Sequence, residues 1–255
     1  MNPLPHLRVV VTRAEHQSEG LAAAFARAGA RVELLPLLEM IPPADLLPLQ
    51  RAASEVGLYD WVVFTSANAV EAFVPLAGPF PPSVQVAAVG AATAAALRDR
   101  GVEPHLTPVK EEAAGLVESL AARIGGRRVL LPQAADARPA LREGLAAAGA
   151  EAVAVVAYDK RLPLDAPARA AALFGAAPIG WVTFTSPRIV RHFVELFGAD
   201  WVRRRGELRA ASIGPVTSAE LRRRGVEPAA EAERPLDEAL VASVSSAAPR
   251  DGDDL

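Results

Sequence analysis

The stretch Asp60–Phe73, DWVVFTSANAVEAF, returns as Gly180–Phe193, GWVTFTSPRIVRHF, and a chain that repeats itself over this distance can fold in few ways. In each copy an apolar run, Trp61 to Phe64 or Trp181 to Phe184, reads as a buried strand, and a Thr-Ser pair stands where an amphipathic helix begins. The first N–H groups of a helix have no internal partner and its dipole favours negative charge, so a strand, a polar turn and a helix start can receive an anion. Two copies predict two such places. One is offered by Thr65, Ser66, Ala67 and Asn68, the other by Thr185, Ser186 and Arg188.

The echo extends along the chain. A strand over Arg8–Thr12, an Ala-rich helix over Gln17–Ala28 ended by Gly29, and a strand over Arg31–Leu35 make one unit. Arg128–Pro132, a helix to Ala148 ended by Gly149, and Val153–Val156 repeat its layout. A third pair, Val86–Pro104 against Ala210–Pro228, aligns Gly90 with Gly214 and Thr93 with Thr217. Strands alternating with helices predict an α/β fold of doubly wound parallel sheets, whose ligands bind at the carboxyl ends of the strands. Arg13, Thr65–Ser66, Gly90, Gln133, Thr185–Ser186 and Gly214 are all expected there, each after a strand and before a helix. Further helices are expected over Glu111–Ile124 and Asp237–Val244, and the polar end SSAAPRDGDDL is expected to fray.

At 255 residues the repeat favours two domains. Their boundary stays open at this level. A cut near Gly125 is the default, but Pro36–Ile41 and Ala157–Pro163 serve equally well as linkers, because the first strand-helix-strand unit can pack with its own half or be exchanged for its counterpart.

Composition excludes several classes. A formal net charge of −3 argues against a globally basic nucleic-acid binder, so an anionic ligand has to be held by local features. No Cys is present, and His6, His16, His105 and His192 show no ligand spacing, so no metal site is expected. Ala72–Leu97 lacks charge over a bilayer-spanning length, but Pro75, Pro79, Pro81 and Pro82 break it into a helix end, a loop, a strand and a new helix. With strand-like sequence from Arg8, a signal peptide has no room, and a cytoplasmic, non-membrane protein is expected.

Each motif has a plainer reading beside the functional one. The Thr-Ser pairs serve as helix caps, and repetition brings the anion-binding reading level with that one. Gly90 and Gly214 open helices without completing GxGxxG, and no GxxxxGK[ST] occurs, so dinucleotide and P-loop signatures are absent. Thr93 and Thr217 read singly as solvent-facing hydroxyls; matched, they suggest a shared role. Arg13, Arg138 and Arg188 are helix-start arginines that as a set would form a carboxylate-binding rim. The runs Arg203–Arg205 and Arg222–Arg224 read as solvated faces, and Trp61 and Trp181 as packing. Tyr158, in a linker beside the expected cleft, is packing or chemistry.

Six segments carry a resemblance: VVVTRA (Val9–Ala14), VFTSANAV (Val63–Val70), AVGAATAAAL (Ala88–Leu97), VVAYDKR (Val155–Arg161), FTSPRIVRHF (Phe184–Phe193) and SIGPVTSAEL (Ser212–Leu221). In this order they resemble the uroporphyrinogen-III synthase family of tetrapyrrole biosynthesis. The resemblance implies two flavodoxin-like domains joined by a two-stranded linker, with the first βαβ unit exchanged. Residues 1–35 and 162–255 would form one domain, 41–155 the other, and 36–40 and 156–161 the linkers.

It also implies the reaction: hydroxymethylbilane, a linear tetrapyrrole octacarboxylate, loses water and closes to uroporphyrinogen III with its last ring inverted. No cofactor or metal is implied, and the expected partner is this small molecule alone; the low aromatic content, 5 %, favours a monomer. Tyr158 matches the family's tyrosine that assists departure of the hydroxyl. Thr93, Thr217, Ser66 and Ser186 would meet carboxylates or that hydroxyl, and Arg13, Arg138, Arg188 and Gln133 would join them in binding. Two rivals remain at this level. One is a two-domain protein that closes on a small anion without chemistry. The other is a glycosyltransferase-like enzyme, which would want a nucleotide-diphosphate loop and a cleft His or carboxylate that the sequence lacks.

Overall fold

The computed structural model describes Leu4 and residues 7–176, 180–198 and 208–248; His6 and the run Arg203–Arg205 lie outside the described residues. The chain divides into two compact units, Met1–Glu39 with Arg161–Leu255, and Met40–Lys160. The first unit opens with β1 (Arg8–Val11), α1 (Glu19–Arg27) and β2 (Arg31–Leu34). Next come β3 (Glu39–Ile41), α2 (Leu47–Ser54), β4 (Trp61–Phe64), α3 (Ala67–Ala77), β5 (Gln85–Ala88) and α4 (Ala91–Asp99). They are followed by α5 (Ala113–Leu120), β6 (Arg128–Ala134), α6 (Ala140–Ala147) and β7 (Glu151–Arg161). The first unit is completed by α7 (Ala166–Ala176), β8 (Trp181–Phe184), α8 (Pro187–Phe197), β9 (Arg209–Ser212), α9 (Pro215–Arg223), β10 (Ala230–Glu231) and α10 (Asp237–Ala247).

The first unit's sheet runs β10-β9-β8-β1-β2, and its pairs are parallel. The second runs β3-β7-β6-β4-β5, with β4, β5, β6 and β7 pairing in parallel. The two registers correspond residue for residue. Val9 opposite Trp181 matches Val129 opposite Trp61, and Trp181 opposite Arg209 matches Trp61 opposite Gln85. Even the short β10, where Ala230 pairs Ala211, has a counterpart in the lone bridge between Ala87 and Leu106. In each sheet the chain winds outward in opposite directions from two neighbouring central strands, β1 and β8 in one and β4 and β6 in the other. Such a reversal opens a crevice at the carboxyl ends of those strands.

Packing follows from the alternation of side chains along buried strands. Trp61 and Val63 face one core of the second unit, with Leu116, Leu120, Leu141 and Leu145. Val62 and Phe64 face the other, with Val70, Phe73 and Leu97. In the first unit Val182 and Phe184 pack with Ile189, Val190 and Phe193, while Trp181 faces Leu21, Phe25 and Leu240. Thr183 stands where Val63 stands in the repeat; its hydroxyl donates to the Val10 carbonyl at 3.2 Å, which satisfies a buried polar group. The helices that follow have the same plan. Ser66 and Ser186 cap them, and Gly78 and Gly198 end them at φ 63° and 48°, where a glycine is favoured.

Several boundaries differ from the sequence reading. The expected linker from Ala157 continues β7, whose backbone pairs with β6 as far as Tyr158, and the division between the units falls within it, between Lys160 and Arg161. Gln133 lies inside β6 rather than after it. Pro75 sits within α3 instead of ending it: only its last residues follow, and the carbonyl released by the missing N–H belongs to the exposed Glu71. The helix expected over Glu111–Ile124 forms only over Ala113–Leu120, with a tighter turn at Ala121–Arg123.

Candidate functional site

At the reversal point of the second unit, β4 ends and Thr65 and Ser66 lead into α3. Ser66 has extended backbone, φ −157° and ψ 151°, and its Oγ accepts the Ala69 N–H at 3.2 Å. The same Oγ lies 3.1 Å from the Tyr158 hydroxyl. Tyr158 is 6 % exposed and packs its ring among the second unit's core residues. The register of β6 and β7 slips at this point: Gln133 pairs Val156, but Ala134 pairs Tyr158, so Ala157 is an extra residue in the ladder. A bulge of this kind re-aims the side chain that follows it, here toward the start of α3. Lys160 Nζ lies 5.6 Å from the centre of the Tyr158 ring and 3.4 Å from Asp136.

The first unit's reversal point has the same backbone and different side chains. Ser186 caps α8 through the Ile189 N–H at 3.3 Å; the chain's two tyrosines, Tyr59 and Tyr158, both belong to the second unit. Arg13 takes the place that Gln133 has in the repeat. Its Nη1 lies 3.0 Å from Asp237 Oδ1 and its Nε 3.5 Å from Thr185 Oγ1.

The glycine-threonine pairs sit at neighbouring helix starts. Gly90 and Gly214 are the N-caps of α4 and α9, and Thr93 and Thr217, three residues on, are 4 % and 3 % exposed. Neither hydroxyl has a hydrogen-bond partner among the described residues. The two glycines are there for different reasons. Gly214 has φ 159° and ψ −179°, a conformation that side chains rarely adopt. Gly90 is in ordinary extended backbone, but a Cβ there would come within 2.4 Å of Glu111 Oε2, so a carboxylate rests directly on the start of α4.

The structure brings only some of the expected groups together. Ser66 with Tyr158, and Arg13 with Thr185, are neighbours. Ala67 and Asn68 form the first turn of α3, and Asn68 Nδ2 lies 3.8 Å from Met40 Sδ. Arg138 is exposed ahead of α6, and Arg188 is half-buried in the first turn of α8. The three arginines do not form one rim within a unit, since Arg13 and Arg188 belong to the first and Arg138 to the second. The run Arg222–Arg224 is more than a solvated face: Arg223 and Arg224 pair with Glu220, which is 3 % exposed. Among the described residues, no group of three or more His, Asp or Glu is placed to hold a metal ion, and no helix is long and apolar enough to cross a membrane.

A model of the family described as HEM4, uroporphyrinogen-III synthase HemD, matches residues 19–242. The chain belongs to the uroporphyrinogen-III synthase family. The uroporphyrinogen-III synthase of Synechococcus elongatus is 36 % identical over 226 residues, 85 % of this chain and 86 % of that protein. A putative uroporphyrinogen-III synthase of Methanothermobacter thermautotrophicus is 31 % identical over 232 residues, covering 86 % and 90 %. Among solved structures, uroporphyrinogen-III synthetase of Helicobacter pylori superposes with a TM-score of 0.65, and a mutant uroporphyrinogen III synthase of Thermus thermophilus with 0.60. Each is 19 % identical over 94 % of this chain, covering 99 % and 98 % of the other, which supports the common α/β fold with parallel sheets.

Against this family background, sequence reasoning missed three groups beside the expected ones: Glu111, Asp237 and Lys160. Glu111 and Asp237 lie outside the repeated segments, so comparing one half with the other leaves them unmarked. Lys160 did carry a signal, since it falls two residues after Tyr158 on a strand and therefore on the same face.

Proposed function

We propose that the chain works as a uroporphyrinogen-III synthase by receiving the carboxylates of hydroxymethylbilane at helix starts and releasing its hydroxyl at the Ser66–Tyr158 pair. The observation that carries this reading is the 3.1 Å separation of those two oxygens at the capped start of α3. Ser66 Oγ already accepts the Ala69 N–H. When its own proton is donated to the Tyr158 oxygen, the phenolic hydrogen is free for a third oxygen. The polarised helix start thus strengthens a chain of donors that ends on the substrate hydroxyl.

The hydroxymethyl C–O bond breaks and the hydroxyl departs as water, leaving an electrophilic azafulvene. The substituted α-carbon of the last ring then attacks to give a spiro intermediate, whose rearrangement inverts that ring. Departure is intrinsically easy, so the protein's larger task is to hold the chain where this carbon, and not the unsubstituted terminal one, reacts. An acidic protein cannot match an octacarboxylate with cations one by one. In the second unit the main-chain N–H groups at α3 and α4 with the hydroxyls of Thr65 and Thr93, and in the first those at α8 and α9 with Thr185, Thr217 and the guanidinium of Arg13, are each suited to receive carboxylates.

We read the division of the chain as an exchanged duplication, with the first strand-helix-strand unit serving a sheet whose other strands come from the far end of the sequence. The proposed setting is a cytoplasmic monomer. The alternative of a binding protein without chemistry is not favoured, because the family match extends over both units and the second holds a hydroxyl pair that mere anion binding does not require. The deciding experiment supplies hydroxymethylbilane to the purified protein, oxidises the products and separates the isomers. The type III isomer is expected, and the type I product that forms in buffer alone would overturn the reading.

A further inference from the structure

At the first unit's reversal point Arg13 meets Asp237 and Thr185. Nη1 faces both carboxylate oxygens of Asp237, at 3.0 and 3.2 Å, and Nε lies 3.5 Å from Thr185 Oγ1. Nη2 has no partner among the described residues. Both side chains are largely withdrawn from water, at 20 % and 25 % exposed, so this pair is less screened than an ordinary surface ion pair. Asp237 is the first residue of the eleven-residue α10, the end of a helix at which an acidic side chain is commonly placed. The N-cap of α10 is Leu236, which makes no side-chain capping bond, and the Asp237 carboxylate accepts from Arg13.

We propose that Asp237 is a positioning residue that fixes the Arg13 guanidinium so that Nη2 is left for a carboxylate of the substrate. This rests on the reading of Arg13 given above. An arginine held at two points before the ligand arrives loses less freedom on binding than a free one. Pairing with Asp237 also makes the site locally neutral, so a single small anion gains little there, while a polycarboxylate held at other helix starts still meets an aligned donor. The second unit supplies the contrast: its equivalent residue, Gln133, is uncharged and needs no such partner.

The test is a double-mutant cycle of Arg13→Ala and Asp237→Ala, with Asp237→Asn as the milder variant. KM and kcat for hydroxymethylbilane, the product isomers and the melting temperature are measured for each. Asp237→Ala is expected to raise KM about tenfold with kcat nearly unchanged, and Asp237→Asn about threefold, while Asp237→Ala leaves KM unmoved in the Arg13→Ala background. An equal rise in both backgrounds would show that Asp237 acts elsewhere, and a fall in KM would show that it competes with the substrate. Should Asp237→Ala fail to fold, the Asn variant in both backgrounds decides by the same comparison. If Arg13→Ala itself leaves KM unchanged, the reading of Arg13 fails; if it raises KM and neither Asp237 variant does, only the positioning role is lost.

Discussion

The Tyr158 hydroxyl stands 3.1 Å from Ser66 Oγ, joining a residue beside a strand bulge to the cap of the helix that follows β4. Removing the phenolic oxygen leaves the ring packing intact. Tyr158→Phe is expected to lower kcat about 10- to 100-fold, at or below the usual range for a general acid, because the hydroxyl leaves readily once hydrogen-bonded. KM and melting temperature should hardly move. Single-turnover measurements on hydroxymethylbilane check this, and unchanged turnover would remove Tyr158 from the mechanism.

Ser66 and Ser186 cap their helices in the same way, and Ser66 in addition lies 3.1 Å from the Tyr158 hydroxyl. Replacing either by Ala should cost about 1 kcal/mol of stability from the lost cap. Ser66→Ala should in addition reduce kcat, whereas Ser186→Ala should act through stability and binding alone. Denaturant unfolding paired with steady-state kinetics on both variants separates the two effects.

Arg13 and Gln133 occupy equivalent places, so Arg13→Gln gives the first unit the second unit's side chain. KM is expected to rise and to depend less steeply on ionic strength, since one charge-assisted contact is gone. Thr217→Val should raise KM as well, with no change in that salt dependence. Titration of KM against added salt distinguishes them.

How much of this was legible beforehand depends on what repeats. The order of the main paired strands and the helices between them, the Thr-Ser turns and the glycine-threonine pairs lie in the duplicated segments, and the physics that writes them, alternating burial and helix capping, is local; β3, α2, α7 and β10 lie outside those segments and were not expected. The extra residue at Ala157 was not legible, because a bulge shows only when a strand is set against its neighbour; for that reason Tyr158 read as part of a linker. Asp237 and Glu111 were missed for a related reason: each approaches its partner from far along the chain, and no spacing rule connects residue 13 with 237 or 90 with 111.

Glu111 rests on Gly90, at the helix start where a substrate carboxylate is expected. Neutralising it by Glu111→Gln should tighten binding of uroporphyrin, a stable stand-in for the product, by a few-fold, on the scale of one screened charge contact. Gly90→Ala, whose methyl would come within 2.4 Å of Oε2, should displace the same carboxylate. Fluorescence titration reads both, and weaker binding by Glu111→Gln would mean that the carboxylate helps the ligand.

Burial pushes the Tyr59 phenol above its ordinary value, against the pull of Arg128, whose guanidinium lies 5.0 Å from the ring centre. A raised folded-state value means that stability from Tyr59 is fully present below the unfolded pKa near 10 and is lost as pH rises through the folded one. Tyr59→Phe should therefore melt with a shallower alkaline decline than the parent above about pH 10. Melting curves across that range provide the check.

Because β1, β2, β8 and β9 share one register with β6, β7, β4 and β5 up to the bulge at Ala157, most positions on one set have a counterpart on the other, within a single polypeptide and a single preparation. Where the counterparts agree, as at Ser66 and Ser186, helix capping is the need they share; where they part, as at Arg13 and Gln133, the reason has to be sought in what each tip holds. The molecule is in this sense its own paired control, and exchanging residues between its halves asks which differences the reaction demands.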